Sequence, residues 1–345
     1  MKKFIISSLT VLAFVFSSCE REDLSEIKPG ILDKIESDPE LSILNQAIEK
    51  AGLKSTLAST QYTFYAPVNE AFDGVDLNSI DAATLLDILK FHISPTRYDS
   101  SRFNAEYGLF FGNPASANLV GLTTLNTKFG ANVFFTNSSR FLNGVLEKDG
   151  VWVSGVQILE LDAHEASDGV VHKIEGLLTP PAGLSGETID ANPNLSLFAA
   201  LCKKAATAPG AATFFASILN NPSEVNTVLA PTNAAMTAAA LTQTDIDLLT
   251  PAQCLALARA QVLNRTQAGG FTTFRRFASD FVKLYKDNGS VNAAPYATYQ
   301  AGRTVTFNGA NATFTGALNA NVTINKANII TGNGVIHIVD AVINN

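Results

Sequence analysis

Residues 63–72 read TFYAPVNEAF, and residues 227–236 read TVLAPTNAAM. Further along each half, residues 168–175 read DGVVHKIE and residues 333–340 read NGVIHIVD. The copies lie 164 residues apart in the first pair (63 to 227) and 165 apart in the second (168 to 333). Two blocks that recur in the same order at the same distance indicate a duplicated domain.

A third pair of segments opens the two repeats. Residues 38–44 read DPELSIL and residues 192–198 read NPNLSLF. An Asp or Asn followed by proline is typical of a helix N-terminus, and the apolar residues that follow recur every three or four positions. We therefore expect each repeat to begin with an amphipathic helix, which Gly52 can close in the first repeat.

The remainder of each repeat changes from helical to strand patterns. After the proline of the first block, Asn69 and Asn233 are positioned to cap a second helix, and residues 84–91 and 251–263 are predicted helices. The predicted strands, which alternate or run apolar between Gly and Asn turns, cover residues 63–67, 151–153, 156–158, 170–178, 304–307, 322–324 and 335–343. Helices followed by strands predict an α+β fold in each half, a β-sandwich with helices covering one side.

The repeated blocks resemble those of fasciclin-type domains, whose first block is close to T-x-F-A-P-T-N-E-A-F and whose second is close to G-V-I-H-V-I-D. The resemblance extends from residue 37 to residue 345. It implies two tandem fasciclin-like domains, at 37–182 and 190–345, each a wedge-shaped β-sandwich with a helical layer. It also implies an extracellular role in adhesion or in contact with matrix and glycan.

Some animal members carry a Tyr-His pair between the blocks that is tied to cell adhesion. Phe91-His92 stands at that place in the first repeat, and Leu263-Asn264 is the predicted counterpart in the second. The tyrosine hydroxyl is missing from both copies, which argues against transferring that receptor role to this chain.

The start of the chain has the layout of a bacterial lipoprotein signal. Lys2 and Lys3 precede a short apolar run, and Ser17-Ser18 lead into Cys19. We interpret residues 1–18 as a signal peptide, Cys19 as the lipid-bearing first residue of the mature protein, and 19–36 as a polar, flexible tether. The alternative is an ordinary cleaved secretory peptide. Either way an envelope location is predicted, at the outer membrane or cell surface in the lipid-anchored case.

Charge and cysteine content narrow the possible partners. The chain has 24 Lys and Arg against 31 Asp and Glu, a formal charge of −7, which argues against nucleic acid and against electrostatic binding to anionic lipid. The membrane contact we expect is through the lipid alone. Cys202 and Cys254 lie on apolar helical faces, so each is interpreted as a buried free thiol, with a disulfide as the alternative.

The histidines are the obvious candidates for chemistry. His172 and His337 occupy equivalent places within apolar strands and are interpreted as hydrogen-bonded structural residues, as is His92 after its helix. Aligning residues 151–153 with 322–324 leaves six extra residues in the first repeat.

That predicted insertion contains Asp162, His164 and Glu165, which either form a solvated loop or bind a divalent cation. No G-x-S-x-G, H-E-x-x-H, P-loop or Rossmann pattern occurs in the sequence. We therefore predict no enzyme activity, no cofactor and no metal.

Two aromatic-rich connections are the predicted interaction surface. Packing against the sandwich is the first expectation for them, and any exposed remainder is a candidate contact surface for protein or sugar. Their members are Phe103, Tyr107, Phe110 and Phe111 in the first repeat, and Phe271, Phe274, Phe277, Phe281 and Tyr285 in the second.

These inferences lead to one main hypothesis and two alternatives. The main hypothesis is a lipid-anchored cell-envelope adhesion or interaction protein with two non-catalytic modules that bind an extracellular or envelope protein or glycan. The first alternative is a lipoprotein that captures a glycan or small ligand beside an outer-membrane uptake system, for which a deep aromatic-lined pocket is expected. The second is a hydrolase that uses Asp162, His164 and Glu165.

Overall fold

Each half of the chain forms its own series of seven hydrogen-bonded strands with helices packed against it. The two halves share one architecture, which confirms the predicted α+β class with a helical layer. The computed structural model describes residues 29–55, 61–94, 96–101, 124–126, 132–142, 145–211, 219–222, 226–263, 276–278, 281, 296–308, 313–316 and 321–343.

In the first repeat the strand neighbours follow the order β2-β1-β7-β6-β5-β4-β3. The pairing of β1 with β7 is parallel, and the other described pairings are antiparallel. The strands are β1 (Tyr62–Pro67), β2 (Ile93–Ser94), β3 (Thr124–Asn126), β4 (Asn132–Leu142), β5 (Val145–Val153), β6 (Val156–Ala166) and β7 (Gly169–Ile174).

The second repeat has the order β10-β11-β12-β13-β14-β8-β9, with β8 and β14 as its parallel pair. Its strands are β8 (Asn226–Pro231), β9 (Val262–Leu263), β10 (Tyr296–Ala297), β11 (Thr304–Asn308), β12 (Thr313–Gly316), β13 (Val322–Thr331) and β14 (Gly334–Val339). The predicted final strands of both repeats are therefore right in place but end four residues too late.

The parallel pair is built from the two sequence blocks that recur in both repeats. Tyr62 lies opposite Gly169 in the first repeat, and Asn226 lies opposite Gly334 in the second. A Cβ atom on Gly169 would lie 2.0 Å from the Tyr62 carbonyl oxygen, and one on Gly334 would lie 2.3 Å from that of Asn226. The glycine that opens each second block is thus required by the close approach of the neighbouring strand.

The second sheet curls until its two ends meet. Leu263 of β9 forms an isolated bridge with Thr298, and the Tyr299 N–H donates to the Val262 carbonyl at 2.9 Å. The enclosed space is filled by aromatic rings: the ring of Phe281 lies 4.9 Å from that of Phe314, between centroids, in an edge-on arrangement. The closed end of this repeat is therefore an aromatic core.

The helical layer follows the repeat opening closely. Gly52, at φ +66°, ends α2 as the sequence predicts, whereas the Asp38-Pro39 and Asn192-Pro193 pairs start a 3₁₀ turn just before the α-helix. No helix within the described ranges is long and apolar enough to cross a membrane. The helices are α1 (Ile31–Ser37), α2 (Ser42–Ala51), α3 (Ala82–Phe91), α4 (Ser185–Ala191), α5 (Ser196–Ala205), α6 (Asn233–Ala238), α7 (Gln243–Leu248) and α8 (Pro251–Ala260).

The asparagine of the first block does not cap a helix, contrary to the prediction. Asn69 instead accepts the Ile43 N–H at 3.0 Å and donates to the Pro39 carbonyl at 2.9 Å. Asn233 makes the same pair of bonds in the second repeat, where Thr232 is the helix cap. The side chain therefore ties the turn after the strand to the helix that opens the repeat, a long-range contact that local spacing does not reveal.

An apolar cluster continues from one repeat into the other. Tyr65 and Val153 of the first repeat belong to the same buried cluster as Phe277, Ile330 and Val335 of the second. Each of these side chains is at most 9% exposed. The two repeats are therefore joined by packed side chains as well as by the chain itself.

Candidate functional site

His172 is buried and connects two backbone segments of the first repeat. Its Nε2–H donates to the Tyr98 carbonyl at 2.7 Å, and its Nδ1 accepts the Asp162 N–H at 2.9 Å. Its ring stacks on that of Tyr65 at 5.8 Å between centroids. Burial lowers the pKa of His172, so the ring is neutral near pH 7 and both of its nitrogens are already bonded.

His337 makes the same pair of bonds in the second repeat. Its Nε2–H donates to the Arg276 carbonyl at 2.8 Å, and its Nδ1 faces the Asn328 N–H at 3.4 Å. Burial lowers its pKa to about 4. Neither histidine lines an open cleft, since both are 0% exposed, and their interpretation as structural residues is confirmed.

The two partners of these histidines are themselves equivalent. Asp162 and Asn328 both have positive φ angles, +53° and +61°, and lie 166 residues apart within the irregular parts of β6 and β13. Asp162 accepts the Ser100 N–H at 3.0 Å, and Asn328 accepts the Ala278 N–H at 2.8 Å. Each repeat thus uses a β-bulge to present an N–H to its buried histidine.

This equivalence overturns part of the predicted alignment. Residues 322–324 begin β13 and correspond to residues 156–158, which begin β6, rather than to 151–153 in β5. The six-residue insertion therefore does not exist, and the residues assigned to it lie in β6. The error arose because 151–153 and 156–158 are both short apolar runs, so composition alone cannot choose between them.

The candidate metal cluster is dispersed. The Asp162 carboxylate accepts the Ser100 N–H at its own bulge. His164 Nε2 lies 2.7 Å from Asp38 Oδ2, and Glu165 Oε1 lies 3.7 Å from an Arg97 nitrogen. The described residues contain no group of three His, Cys, Asp or Glu side chains that could hold a metal ion. Three side chains with three separate partners do not form a hydrolytic centre. The residues on which the hydrolase hypothesis rests therefore do not support it.

His92 is a further structural histidine, at the C-terminus of α3. Its Nδ1–H donates to the Ile88 carbonyl at 2.8 Å, and its Nε2 accepts the Leu178 N–H at 2.9 Å. Burial lowers its pKa to about 4. The ring therefore joins the end of α3 to the segment that follows the last strand of the repeat.

Gln261 takes the place of His92 in the second repeat. Its amide nitrogen donates to the Leu257 carbonyl at 3.2 Å and the Ile343 carbonyl at 2.7 Å, and its oxygen accepts the Ile343 N–H at 3.1 Å. The counterpart of Phe91-His92 is therefore Ala260-Gln261. The predicted counterpart, Leu263-Asn264, is wrong: Leu263 lies in β9, and Asn264 lies outside the described residues.

The first repeat contains an ionic cluster that the sequence analysis did not anticipate. Lys173 Nζ lies 2.8 Å from Asp38, 2.6 Å from Glu40 and 3.5 Å from Glu160, and His164 bonds the same Asp38. Burial lowers the Lys173 pKa, but the hydrogen bonds and charges of the carboxylates outweigh it and raise the pKa overall. Burial raises the Asp38 pKa, but its bonds to Lys173 and His164 bring the pKa below its usual value.

The second repeat lacks this cluster. Ile338 stands where Lys173 does, and Asn192 and Asn194 stand where Asp38 and Glu40 do. A cavity of about 410 Å³ lies at this place, lined by Asn194, Thr232, Asn233, Ala234, Asn325, Lys326 and Ile338. The two repeats therefore share a fold but present different chemistry at equivalent surfaces.

A groove lies at the junction of the two repeats. The Asn328 side-chain amide donates to the Gly155 carbonyl at 3.1 Å, so the bulge of β13 is bonded to the β5–β6 turn. Beside this contact is a cavity of about 340 Å³, whose walls come from the β5–β6 turn, the connection at 177–182, α4 and β13. We take this groove as the candidate functional site because it is concave and belongs to neither repeat alone.

The predicted aromatic surface is only partly described. Phe277 and Phe281 are 1% and 0% exposed, so their assignment to an interaction surface is wrong and both belong to the core. The enclosed aromatic cluster of the second repeat and the cluster shared by both repeats bury these two rings. The other predicted members lie outside the described residues: Phe103, Tyr107, Phe110, Phe111, Phe271, Phe274 and Tyr285.

The cysteines agree with the simpler expectation. Cys202 and Cys254 are both buried free thiols, and burial raises the pKa of each thiol. Neither is therefore a reactive thiolate near pH 7. Cys19, the predicted lipid-bearing residue, lies outside the described residues.

A family model, described as the Fasciclin domain, matches residues 39–180 and 194–345. The chain belongs to the fasciclin-domain family. Transforming growth factor-beta-induced protein ig-h3 from Sus scrofa is 30% identical to this chain over 166 residues, which cover 46% of this chain and 20% of that protein. This fasciclin protein thus matches about one fifth of the length of that relative.

Among solved structures, a FAS1 domain pair from the insect cell adhesion molecule fasciclin I is also similar. It is 17% identical, and the match covers 89% of this chain and 97% of the insect chain with a TM-score of 0.37. Fasciclin domains are typically adhesion and interaction modules and are generally non-catalytic.

Three residues of this fasciclin pair have clear roles that the sequence did not predict: Lys173, Gln261 and Asn328. Lys173 sits inside a repeated block, and its replacement by Ile338 was a visible signal that one repeat buries a charge there. Gln261 and Asn328 gave no such signal, because each lies outside the repeated blocks and is recognised only by the backbone groups it bonds.

Proposed function

We propose that this fasciclin protein is a lipid-anchored interaction protein of the cell envelope, at the outer membrane or cell surface. Its two domains bind an extracellular or envelope protein or glycan and catalyse no reaction. One observation carries the proposal: the polar side chains that recur in both domains are committed to the fold. His172 and His337 are fully buried, and Asn69 and Asn233 bond backbone groups.

The surfaces that remain for binding are those in which the domains differ. Lys173 and its carboxylates make one equivalent surface ionic, whereas the other is lined by Ile338 and asparagines, with Lys326 as its one charged lining residue. Two unlike surfaces on one chain are suited to two different contacts, or to two parts of one large partner.

The anchor is supported by the sequence. A short charged and apolar start followed by Ser17-Ser18-Cys19 is the layout of a lipoprotein signal. The charged stretch of residues 19–36 then separates the lipid from the first domain. Lipidation at Cys19 holds the protein at a membrane, and the tether sets the distance of its domains from it.

Metabolic labelling tests the anchor. Cells that express the full-length chain are grown with an alkyne-bearing palmitate, and the protein is isolated and coupled to a fluorophore. We expect label on the wild-type chain and none on Cys19→Ala, with Cys202→Ala as the matched cysteine control. Equal labelling of wild type and Cys19→Ala contradicts the anchor.

Cross-linking on intact cells tests the interaction. The full-length chain carries a photoactivatable cross-linker at Glu40, an exposed member of the ionic surface (67% of its side chain). We expect a cross-linked partner that disappears after protease treatment if it is a protein, or after glycosidase treatment if it is a glycan. Absence of any cross-link from this site and from the equivalent Asn194 contradicts the proposal.

Three cavities lined by described residues do not favour capture of a glycan, which is one form of the alternative that captures a glycan or small ligand. That hypothesis expects a deep pocket with aromatic walls, because sugar rings stack on aromatic faces. These three cavities, of about 340, 410 and 420 Å³, have no aromatic side chain in their lining.

A further inference from the structure

The groove between the two domains has mainly aliphatic walls. Val156, Leu177 and Pro180 line it from the first domain and the connection, and Ala327 and Ile329 line it from β13. Its volume, about 340 Å³, lies at the lower end of the range of small-ligand pockets, roughly 300–1,000 Å³, and such pockets are frequent at domain interfaces. An aliphatic wall favours a ligand with an aliphatic body.

Two polar side chains of the groove have no hydrogen-bond or ion-pair partner among the described residues. The Thr188 hydroxyl oxygen is buried and has no hydrogen-bond partner in the structure. The Lys326 side chain is exposed, lines both this groove and the neighbouring cavity of the second domain, and makes no ion pair or hydrogen bond to the described part of the chain. A buried hydroxyl without a partner is unfavourable, so a ligand oxygen that reaches it supplies the missing acceptor.

The charge of the groove selects the ligand further. None of its lining residues is an Asp or Glu, although acidic residues outnumber basic ones in the chain by 31 to 24. A lysine free of carboxylates in an acidic protein is suited to an anion. A carboxylate takes a charge-assisted hydrogen bond from the ammonium, and a second oxygen of the ligand accepts from the hydroxyl.

We propose that this groove binds an amphiphilic carboxylate: a molecule with an aliphatic chain, one carboxylate and a further acceptor oxygen such as an amide carbonyl. The chain lies along Leu177, Pro180 and Ile329, the carboxylate pairs with Lys326, and the carbonyl accepts from Thr188. This site goes beyond the interaction role proposed above and does not depend on it.

The equivalent surface of the first domain does not offer the same site. Glu160 stands where Lys326 does, 166 residues earlier, and Asp162 stands where Asn328 does. Two carboxylates there repel an anionic ligand. We therefore expect one binding site per chain, in spite of the duplication.

Calorimetric titration of the full-length protein in detergent-free aqueous buffer with N-decanoylglycine tests the proposal. This probe carries an aliphatic chain, an amide carbonyl and a carboxylate, and its methyl ester is the matched uncharged control. We expect one site per chain, weakened about tenfold by Lys326→Gln and less by Thr188→Val. Lys54→Gln, an exposed lysine of the first domain, is the charge-matched protein control and is expected to bind as wild type does.

Ala182→Trp separates groove binding from surface adsorption. Ala182 is exposed at the rim of the groove, so an indole there blocks the groove without disturbing a buried core. We expect binding to be lost while the thermal midpoint of unfolding is unchanged.

Three results overturn the proposal: no saturable binding of the probe up to about 1 mM, equal binding of acid and methyl ester, or binding that survives both Lys326→Gln and Ala182→Trp. None of them bears on the cell-surface cross-linking experiment, because that experiment probes Glu40 on a different surface.

Discussion

His92 and Gln261 occupy the same position in the two domains and satisfy equivalent backbone groups with different chemistry. Each follows a helix, donates to the carbonyl four residues earlier, and bonds the backbone of the segment after the last strand. A neutral imidazole and a carboxamide each supply a donor and an acceptor, which explains the exchange. The difference between them is that only the imidazole can take up a proton.

His92→Gln is expected to preserve the fold and to flatten its pH dependence. The pKa of His92 is about 4 in the folded protein, against an ordinary value of 6.5. The stability that depends on the neutral ring is thus complete above about pH 6.5 and is lost as the pH falls toward 4, at about 1.4 kcal/mol per pH unit. His92→Gln removes the one proton that this ring takes up on unfolding. Urea unfolding at pH 7, 6 and 5 should therefore show that the free energy of unfolding depends less steeply on pH in this variant, by about 1.4 kcal/mol per pH unit.

His92→Leu is the matched control. It fills the same space but leaves the Ile88 carbonyl and the Leu178 N–H without partners, and we expect a loss of about 1–3 kcal/mol at pH 7. If His92→Gln is as destabilising as His92→Leu, the hydrogen bonds of His92 and Gln261 are not equivalent in their contribution to stability.

Lys173→Ile is expected to be destabilising alone and nearly harmless together with Asp38→Asn. The single change leaves the buried Asp38 carboxylate without its ammonium partner, at a cost of about 3 kcal/mol. The double change installs the pair that the second domain carries as Ile338 and Asn192, and we expect it to recover most of that loss.

A double-mutant cycle by chemical unfolding measures the coupling between these two positions. Asp38→Asn alone is the third corner of the cycle, and Lys54→Ile at an exposed ion pair is the control for loss of a lysine. Additive effects of the two substitutions would show that the ion pair has no structural role.

Asn328→Asp is expected to loosen the contact between the domains. The aspartate keeps an oxygen for the Ala278 N–H but loses the N–H that bonds the Gly155 carbonyl. We expect faster hydrogen exchange in the β5–β6 turn and a loss of about 1–3 kcal/mol.

The first domain provides the control for this change. Asp162→Asn makes the reverse substitution at the equivalent bulge, where the side chain only accepts, from the Ser100 N–H. Its effect should be below about 1 kcal/mol. Equal exchange rates in the β5–β6 turn of wild type and Asn328→Asp would mean that the bond does not hold the domains together.

Gly169→Ala and Gly334→Ala are expected to unfold their domains or to destabilise them by about 3 kcal/mol or more. Their new methyl groups would overlap the carbonyl oxygens of the neighbouring strand at 2.0 and 2.3 Å. Gly176→Ala is the control, since its methyl group would meet only Val156 at 3.5 Å, an ordinary contact. Thermal unfolding of the three variants compares them directly, and equal midpoints would contradict the close approach of the strands.

The sequence predicts the duplication and the fold class because the repeated blocks form the parallel pair at the centre of each sheet. Local rules also place α2 correctly, from its apolar spacing to Gly52 at its end. The same rules fail for Asn69, whose spacing suggests a cap but whose side chain bonds Ile43 and Pro39, 26 and 30 residues away. Local propensity cannot detect a partner so distant in sequence.

The surface is harder to predict than the core. Phe277 and Phe281 lie at helical spacing in a connection, but packing between the two repeats buries Phe277 and closure of the second sheet buries Phe281. The groove around Lys326 could not be predicted at all, because its walls come from four separate segments. The burial of these two rings and the position of the groove both depend on which elements pack together, and composition does not reveal that packing.

We propose that the histidines repeated in both domains hold the fold and do no chemistry. With four histidines in the chain, nitrogen-15 labelling of histidine and NMR titration of the full-length protein resolves each ring. We predict that His172 and His337 are neutral Nε2–H tautomers and that His337 takes up a proton only near pH 4. Titration of either ring near pH 6.5 or above, or a Nδ1–H tautomer, would contradict the claim.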